Sequence, residues 1–235
     1  ELLVPGAVVV VFALAVPLLF GGRFNVWIAL AVLLSGWVAI GVLKDLWRRL
    51  GVGSGYGLRW QTLTPSFLGM ATAHLGFAAV VMGAVVVTQL NEERDLLMEV
   101  GDVEFLGGYR FELTALSRQA GPNYMADQAV FEITQGDKPI ATLIPEKRRY
   151  FASGQMMTEA AIDGSVWRDL YIALGEPVEE GAWAVRLQFK PMVRWLWLGG
   201  ALIGLGALLT VADRRYRRQS TSQSAAIAEA TGLAG

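Results

Sequence analysis

The sequence predicts an α-helical membrane protein with four transmembrane helices and one inserted, extracytoplasmic antiparallel β domain. The 235 residues are 54% hydrophobic and only 17% charged, whereas a soluble domain carries about a quarter charged residues. The apolar residues are concentrated in four runs, each long enough to cross a bilayer. The polar segment between the third and fourth runs alternates apolar and polar residues, which is the period of half-buried β-strands.

The four apolar runs have the length of membrane helices, which need roughly 20 mostly apolar residues. They cover residues 2–20, 24–43, 66–90 and 194–212. A helix buried in a large soluble core would also be apolar, but four such runs in one short chain disfavour that alternative. We divide the chain into two helices with a cytoplasmic loop, a third helix, the β domain, a last helix with a basic end, and a disordered tail, at residues 1–65, 66–90, 91–191, 192–218 and 219–235.

Basic residues near the helix ends predict the orientation, because cytoplasmic ends of membrane helices are enriched in Lys and Arg. Four bases follow the second run, and four arginines follow the last run within residues 214–218. Both of these ends should therefore be cytoplasmic, and residues 91–191 should lie outside. That segment has 17 acidic and 10 basic residues, a net charge of −7. The bases after the second run are Lys44, Arg48, Arg49 and Arg59.

Tryptophans flank the predicted spans. Trp47 and Trp60 stand on either side of the cytoplasmic loop, and Trp195 and Trp197 open the last run. Because such rings favour the headgroup level of a bilayer, we expect these four at the membrane surface. Trp37, in the middle of the second run, could be an ordinary core residue.

The β domain is predicted from short alternating segments separated by turn signals. Strands are expected around residues 109–113, 129–133 and 183–187. About a hundred residues of this pattern can build a small sandwich or a barrel, and the sequence leaves both open. The turn signals, rich in Gly, Pro and Asn, lie at residues 107–108, 121–123, 136–137 and 175–177.

His74 is the single histidine of the chain, and it lies in the middle of the third apolar run. An ionisable group at that depth is costly, which favours a functional role, although a neutral histidine bonded to a backbone or hydroxyl group would also be tolerated. On the nearly opposite face, Gly69, Gly76 and Gly83 recur every seven residues, so another helix can approach closely there.

The side of the third helix that carries His74 is apolar, so a large flat apolar group could rest there and take an axial nitrogen from His74. Heme fits this description. Met70 and Met82 could in principle supply a second ligand. Met70 lies one turn away on the same helix and cannot take the opposite heme face, so a second ligand should come from elsewhere. A proton relay would need more polar groups than Asn25, Ser35 and Thr210 on the other runs. The side chains on this face are Phe67, Met70, Ala71, Ala78 and Val81.

Several other kinds of site are disfavoured. The chain has no cysteine, which excludes disulfides, thiolate metal sites and covalent heme attachment to the chain itself. The net charge of −1 gives no field that would attract nucleic acid, and no phosphate-binding loop or metal-ligand spacing occurs. The basic residues Lys147, Arg148 and Arg149 could pair with heme propionates or an acidic partner, or form a solvated strand end.

Six stretches, in order along the chain, resemble the C-terminal part of the CcmF family of bacterial cytochrome c maturation. The resemblance spans roughly residues 1–218, and the six motifs together are specific although each alone would not be. A further motif of the family, a tryptophan-rich segment flanked by histidines, has no match here. The matching stretches are residues 69–76, 121–124, 145–150, 157–162, 169–176 and the segment 190–197.

The resemblance implies a membrane subunit of a cytochrome c heme lyase in the bacterial inner membrane, with residues 91–191 periplasmic. Such subunits help attach heme to the Cys-x-x-Cys-His motif of apocytochrome c, receive heme from the chaperone CcmE and work with CcmH-type thiol subunits. The resemblance also implies a heme b with His74 as one metal ligand and the second axial ligand outside this chain. It assigns no catalytic residue to the chain.

Two further expectations accompany the resemblance. Because the other membrane histidine of the family has no match, we expect more of the protein before Glu1, and no lyase activity from these residues alone. The alternative function is a non-catalytic, membrane-anchored scaffold whose extracytoplasmic domain docks partner subunits or apocytochrome.

Overall fold

The computed structural model describes residues 3–21, 24–52, 59–178 and 181–213. The chain divides into a helical unit, residues 1–85 with 195–235, and a strand unit, residues 86–194. The predicted disordered tail at 219–235 and the basic end at 214–218 lie outside the described residues. The helices are α1 Leu3–Gly21, α2 Val26–Leu50, α3 Pro65–Leu90 and α4 Val193–Ala212.

In the part of the chain that the structure describes, three helices, α2, α3 and α4, are long and apolar enough to cross a membrane. Within the residues whose side chains are described, α1 contributes a shorter apolar stretch, Val4–Leu18. The chain therefore has the apolar helices of a multi-pass membrane protein. The predicted count of four spans stays a prediction.

The ends of α2 are set by local chemistry. The Asn25 side chain accepts hydrogen bonds from the backbone N–H groups of Trp27 and Ile28, at 2.9 and 3.2 Å, which caps the helix start. Gly51, with φ of 67°, ends the helix in the left-handed conformation that glycine tolerates best. Trp47, near this end, is exposed, and its place at the membrane surface stays a prediction. Trp37 is exposed too, so it is not a core residue of the described helices.

In the described residues that follow α3 and precede α4 in the sequence, ten strands form two antiparallel sheets. One sheet has the order β1-β10-β9-β8, and the other β2-β3-β4-β6-β7 with β5 also paired to β4. The strands are β1 Glu92–Met98, β2 Val103–Leu106, β3 Tyr109–Ala120, β4 Tyr124–Gln135, β5 Lys138–Leu143, β6 Glu146–Tyr150, β7 Met156–Glu159, β8 Ala161–Gly164, β9 Arg168–Pro177 and β10 Trp183–Pro191.

The core of the strand unit is contributed by both sheets. Phe111 and Phe131 from β3 and β4 are fully buried, as are Leu170 and Ile172 from β9 and Leu187 from β10. Alternate residues along each of these strands point inward, as period-two patterning requires. Two sheets enclosing one core form a sandwich, which decides between the two architectures left open by the sequence.

The predicted strands all occur, and one turn signal was wrong. Residues 107–108, 121–123 and 136–137 connect strands, whereas residues 175–177 belong to β9. Gly175 lies where the pairing of β9 with β10 shifts register, and a Cβ at this position would come within 3.0 Å of the Ala184 carbonyl oxygen. The glycine therefore permits a close strand approach instead of a turn.

Candidate functional site

Hydrogen bonds fix the first turn of α3, the helix that carries His74. Thr64 Oγ1 accepts from the Phe67 N–H at 3.2 Å, and Pro65 occupies the first helical position, where its missing N–H costs nothing. The Asp213 carboxylate accepts hydrogen bonds from the backbone N–H of Ser66, at 3.2 Å, and from the Ser66 hydroxyl. A carboxylate is stabilised at a helix N-terminus, so this contact ties the end of α4 to the start of α3.

Helix α4 packs on the glycine face of α3, as the seven-residue spacing predicted. A Cβ at Gly76 would lie 2.6 Å from the Gly199 carbonyl oxygen, and one at Gly206 would lie 2.5 Å from the Gly69 carbonyl oxygen. The backbones therefore meet at two points seven residues apart on each helix. Nothing but hydrogen fits between them.

The Gly200-x-x-x-Gly204 pattern on α4 resembles a close-packing motif but does not act as one among the described residues. A Cβ at either glycine would meet nothing within 4 Å. The contact instead uses Gly199 and Gly206, because those are the positions that face α3.

Helix α2 covers a second face of α3. The Ser35 hydroxyl donates to the Ala78 carbonyl oxygen at 3.0 Å in a buried position. Further along, Val42 forms a small buried cluster with Phe67 and Ala71. The hydroxyl bond satisfies a polar group within an apolar environment, where a lost hydrogen bond is costly.

His74 is exposed among the described residues, and its Nδ1 lies 2.8 Å from the Met70 carbonyl oxygen, one turn back on the same helix. A carbonyl oxygen can only accept, so this contact requires the proton to be on Nδ1. In a neutral imidazole, Nε2 then carries the lone pair. Histidines that ligate metals commonly donate their other ring N–H to a backbone carbonyl in this way.

The face around His74 is narrower than the sequence predicted. Phe67, Ala71 and Ala78 were expected to border a ligand surface, but they are buried, and α2 covers that flank. Helical geometry puts residues i, i+4 and i+7 on one stripe, and Met70, His74 and Phe77 form such a stripe. Met70 is 38% and Phe77 55% exposed. We call these three residues the open face of α3.

The open face presents one nitrogen donor between two large apolar side chains. Within the described parts of the chain, no group of three or more His, Asp or Glu residues could hold a metal ion. Met82 lines a separate groove of about 290 Å³ with Ser35 and Trp195, so it does not share the open face.

The basic stretch on β6 is largely neutralised by the sandwich itself. Lys147 Nζ lies 2.8 Å from a Glu176 carboxylate oxygen, and Arg148 Nε lies 2.7 Å from that of Glu146. Arg148 also stacks over the Tyr124 ring, 4.5 Å from its centroid. These pairs favour a structural role for the stretch over an anion site, and they account for two of its three bases.

Arg168 opens β9 and cross-links the sandwich. Its Nη1 donates to the Asp163 backbone oxygen at 2.9 Å and to the Asp163 carboxylate, and its Nε donates to the Tyr109 hydroxyl at 3.1 Å. Burial opposes the charge, but the bonds to Tyr109 and Asp163 leave the pKa of the guanidinium raised. Its partners are 59 and 5 residues away, so no local pattern marks the network.

Comparison with known proteins identifies the sandwich. Residues 89–191 match the family model of the CcmF C-terminal β-sandwich. The chain is 49% identical over 175 residues to the cytochrome c-type biogenesis protein CcmF of Pseudomonas aeruginosa, covering 74% of this chain and 26% of that protein. It is 45% identical over 168 residues to CcmF of Escherichia coli K12, covering 72% and 26%.

Two further comparisons agree. The cytochrome c-type biogenesis protein NrfE of Haemophilus influenzae is 38% identical over 160 residues, covering 68% of this chain and 25% of that protein. A solved structure described as cytochrome c heme lyase CcmF shares the fold, with a TM-score of 0.66 at 17% identity, covering 88% of this chain and 34% of that one. The chain spans about a quarter of the length of the curated relatives it matches.

The fold defines a class of multi-pass membrane proteins in which an antiparallel β-sandwich precedes the last apolar helix. Within that class the chain belongs to the CcmF family and corresponds to its C-terminal part, as the ordered motifs predicted.

Proposed function

We propose that this chain is the C-terminal part of a membrane subunit of a cytochrome c heme lyase, and that His74 is an axial ligand of a b-type heme. The observation that carries the proposal is the His74 geometry. Its Nδ1 is occupied by the Met70 carbonyl at 2.8 Å, while the ring stands on a face that neither α2 nor α4 covers in the described residues.

The residues present fit such a group. The bond to Met70 fixes the tautomer and restrains the ring, so Nε2 is the nitrogen that would meet iron. Met70 and Phe77 are large and apolar, and they would lie against the porphyrin and exclude water from the iron. When bound, a b-type heme supplies a one-electron redox centre. A second axial ligand would come from outside this chain, since His74 is its only histidine.

The packing around His74 supports a positioning role for the whole helical unit. The glycine contacts at Gly69 and Gly76 hold α3 against α4, and the Ser35 hydroxyl bond holds it against α2. A ligand on a helix braced from two sides is held more precisely than one on a loop. These contacts would keep the Nε2 atom at a fixed height within the bilayer.

The remaining parts of the proposal follow the family. The protein would reside in the bacterial inner membrane with residues 91–191 in the periplasm, where apocytochrome c is matured. Its partners would be the heme chaperone CcmE, a CcmH-type thiol subunit and apocytochrome c. The relatives named for cytochrome c-type biogenesis support this role.

Substitution of His74 tests the ligand assignment. In the complete protein purified from membranes, His74→Ala should reduce the b-type absorbance per protein about tenfold or more, because ligand-set changes of this kind weaken metal binding at least that far. Thr72→Ala, a small polar change on the same helix, should leave the absorbance unchanged. A His74→Ala protein with b-type absorption unaltered in position and amount would refute the assignment.

The scaffold is the second candidate, and one observation favours it. The sandwich is a compact unit with a core of its own, which suits a docking module. Deleting residues 95–188 should then abolish capture of partner subunits in a pull-down while leaving heme absorbance in place. Unchanged capture by the deleted protein would argue against the scaffold.

A further inference from the structure

The hairpin between β8 and β9 ends in two large exposed apolar side chains. Val166 is 61% and Trp167 62% exposed. Tight hairpin turns ordinarily carry Gly, Asn or Asp, which suit the backbone and face water. A Val-Trp pair is not required by the turn, so its presence indicates surroundings other than water.

The turn is built to hold this tip in place. The Ser165 N–H donates to the Arg168 carbonyl oxygen at 2.8 Å, and the Ser165 hydroxyl oxygen accepts from the N–H groups of Trp167 and Arg168, at 3.3 and 3.1 Å. The Arg168 side chain then ties the hairpin to Asp163 and Tyr109. The two apolar side chains are therefore presented at the end of a cross-linked hairpin.

The tip lies where the chain enters its last apolar helix. The Trp167 carbonyl oxygen accepts from the Met192 N–H at 2.8 Å, and Met192 directly precedes α4. Met192 has φ of 54°, a left-handed conformation that methionine rarely adopts, so the hydrogen bond supports a strained junction. Trp197, 79% exposed, lies in the second turn of α4.

We propose that Val166 and Trp167 form an interfacial membrane anchor, in which the hairpin tip inserts into the lipid headgroup region beside the start of α4. Tryptophan favours this region because its ring is apolar and its N–H is polar. The occupant of the patch is therefore lipid, continuous with the bilayer that surrounds α4. The anchor would hold the sandwich at a fixed height over the membrane.

The charges next to the tip cancel. Arg168 pairs with Asp163, and Arg194 Nε lies 2.8 Å from an Asp169 carboxylate oxygen. Insertion therefore depends on the apolar side chains, and it should occur in vesicles of zwitterionic phosphatidylcholine without anionic lipid.

Depth-dependent quenching tests the anchor. These 235 residues contain no cysteine, and any cysteine elsewhere in the complete protein is first replaced by serine so that a single site is labelled. The complete protein carries a bimane fluorophore at Val166→Cys or, as control, at Ser153→Cys. Ser153 lies in the β6–β7 turn, in which the Phe151 N–H donates to the Asn123 carbonyl oxygen at 3.0 Å, and Asn123 follows the end of β3 that is opposite Tyr109. In phosphatidylcholine vesicles, a headgroup nitroxide lipid should quench the label at 166 at least about twofold more than the label at 153. Aqueous iodide should show the reverse order.

A second measurement does not depend on the labelled variant folding. Lipid brominated on its acyl chains should quench the intrinsic fluorescence of the unmodified protein more than that of Trp167→Phe. Iodide quenching at 166 equal to that at 153 would overturn the anchor. Shielding of residue 166 from both quenchers would also overturn it, because a protein partner would then cover the tip.

Discussion

A histidine on a membrane helix has two ring nitrogens to satisfy, and this chain satisfies one of them internally. The Met70 carbonyl accepts from Nδ1, which leaves Nε2 directed toward whatever covers the open face. Lipid offers no donor to that nitrogen, whereas a metal ion accepts its lone pair. A backbone acceptor on the same helix is insensitive to side-chain substitution, so the tautomer should persist in most variants of the site.

Arg168 gives a prediction for stability. Its side chain is only 11% exposed and bonds Asp163 and Tyr109, so Arg168→Met leaves a half-buried carboxylate without its partner. We expect the free energy of unfolding to fall by about 1–3 kcal/mol, the usual cost of an unsatisfied buried group. Chemical denaturation in detergent, followed by circular dichroism, measures the change.

The matched control is Arg118→Met, which removes an ion pair with Asp127 from an arginine that is 68% exposed. Pairs exposed to this degree contribute about 0–1 kcal/mol. Equal destabilisation by the two substitutions would mean that the Arg168 network contributes no more to the free energy of unfolding than an exposed ion pair does.

The pair of Asp95 and Arg186 predicts a pH dependence. Two hydrogen bonds of 2.7 and 2.8 Å join the side chains, and the bond from Arg186 lowers the pKa of the Asp95 carboxyl. A lowered pKa stabilises the fold above the unfolded value near 3.8, and this contribution is lost as the pH falls through the folded pKa. Aspartate ordinarily titrates between about pH 5 and pH 3. Over this range the denaturation midpoint should therefore fall less for Asp95→Asn than for the unmodified protein. An unchanged acid response would contradict the prediction.

At the scale of elements, the helix crossing of α3 and α4 depends on four glycines. Gly206→Ala places a Cβ 2.5 Å from the Gly69 carbonyl oxygen, a backbone atom that cannot move aside without moving the helix. Overpacking of this kind costs about 1–3 kcal/mol, and we expect a lower melting temperature together with a weaker heme absorbance. Scanning fluorimetry and absorbance spectra of the purified protein measure both effects.

Gly200→Ala is the matched control on the same helix. Its Cβ would meet nothing within 4 Å, so the substitution should be neutral or stabilising by up to about 1 kcal/mol through helix propensity. If Gly200→Ala were the more harmful of the two, the crossing described above would be wrong.

Sequence periodicity predicted one helix face correctly and another only in part. The recurrence of Gly69 and Gly76 marks a close helix contact because only glycine lets backbones meet, whatever the partner. The flank formed by Ala71 and Ala78 has no such signature. Small apolar residues suit a porphyrin or a second helix equally, and the arrival of α2 depends on contacts such as the Ser35 hydroxyl bond, 43 residues away.

The strands, too, were predictable from the sequence only in part. Alternation predicted the inner parts of β3, β4 and β10, because these strands have one buried and one exposed face. The short strands β7 and β8 carry only four residues each, too few for a period to be recognised. The pairing of β7 with β6 and of β8 with β9 depends on tertiary packing, which a local sequence pattern does not encode.

At the scale of the whole molecule, the residues of the acidic sandwich come after α3 and before α4 in the sequence. The segment 91–191 carries a net charge of −7, whereas most bases of the helical unit lie in the last two turns of α2, just after it at Arg59, or after α4 in the sequence. Because Lys and Arg remain on the cytoplasmic side, this asymmetry predicts a periplasmic sandwich.

Cysteine labelling of intact cells tests this topology. Asp137→Cys, in the exposed β4–β5 turn, should react with a membrane-impermeant maleimide once the outer membrane is permeabilised. Arg59→Cys, after α2, should react only when the inner membrane is lysed. These 235 residues contain no other cysteine, so each signal reports one site once any cysteine elsewhere in the complete protein has been replaced by serine. Labelling of residue 59 before residue 137 would reverse the predicted orientation.

Imidazole rescue tests most directly whether the His74 ring binds heme iron. In the complete protein, His74→Gly removes the ring and leaves a space on the open face between Met70 and Phe77. Free imidazole added to this variant should restore the b-type absorbance that the substitution removes, while 2-methylimidazole, whose methyl group crowds the ring nitrogen, should restore less. A His74→Gly protein that keeps its b-type spectrum without imidazole would contradict ligation by His74.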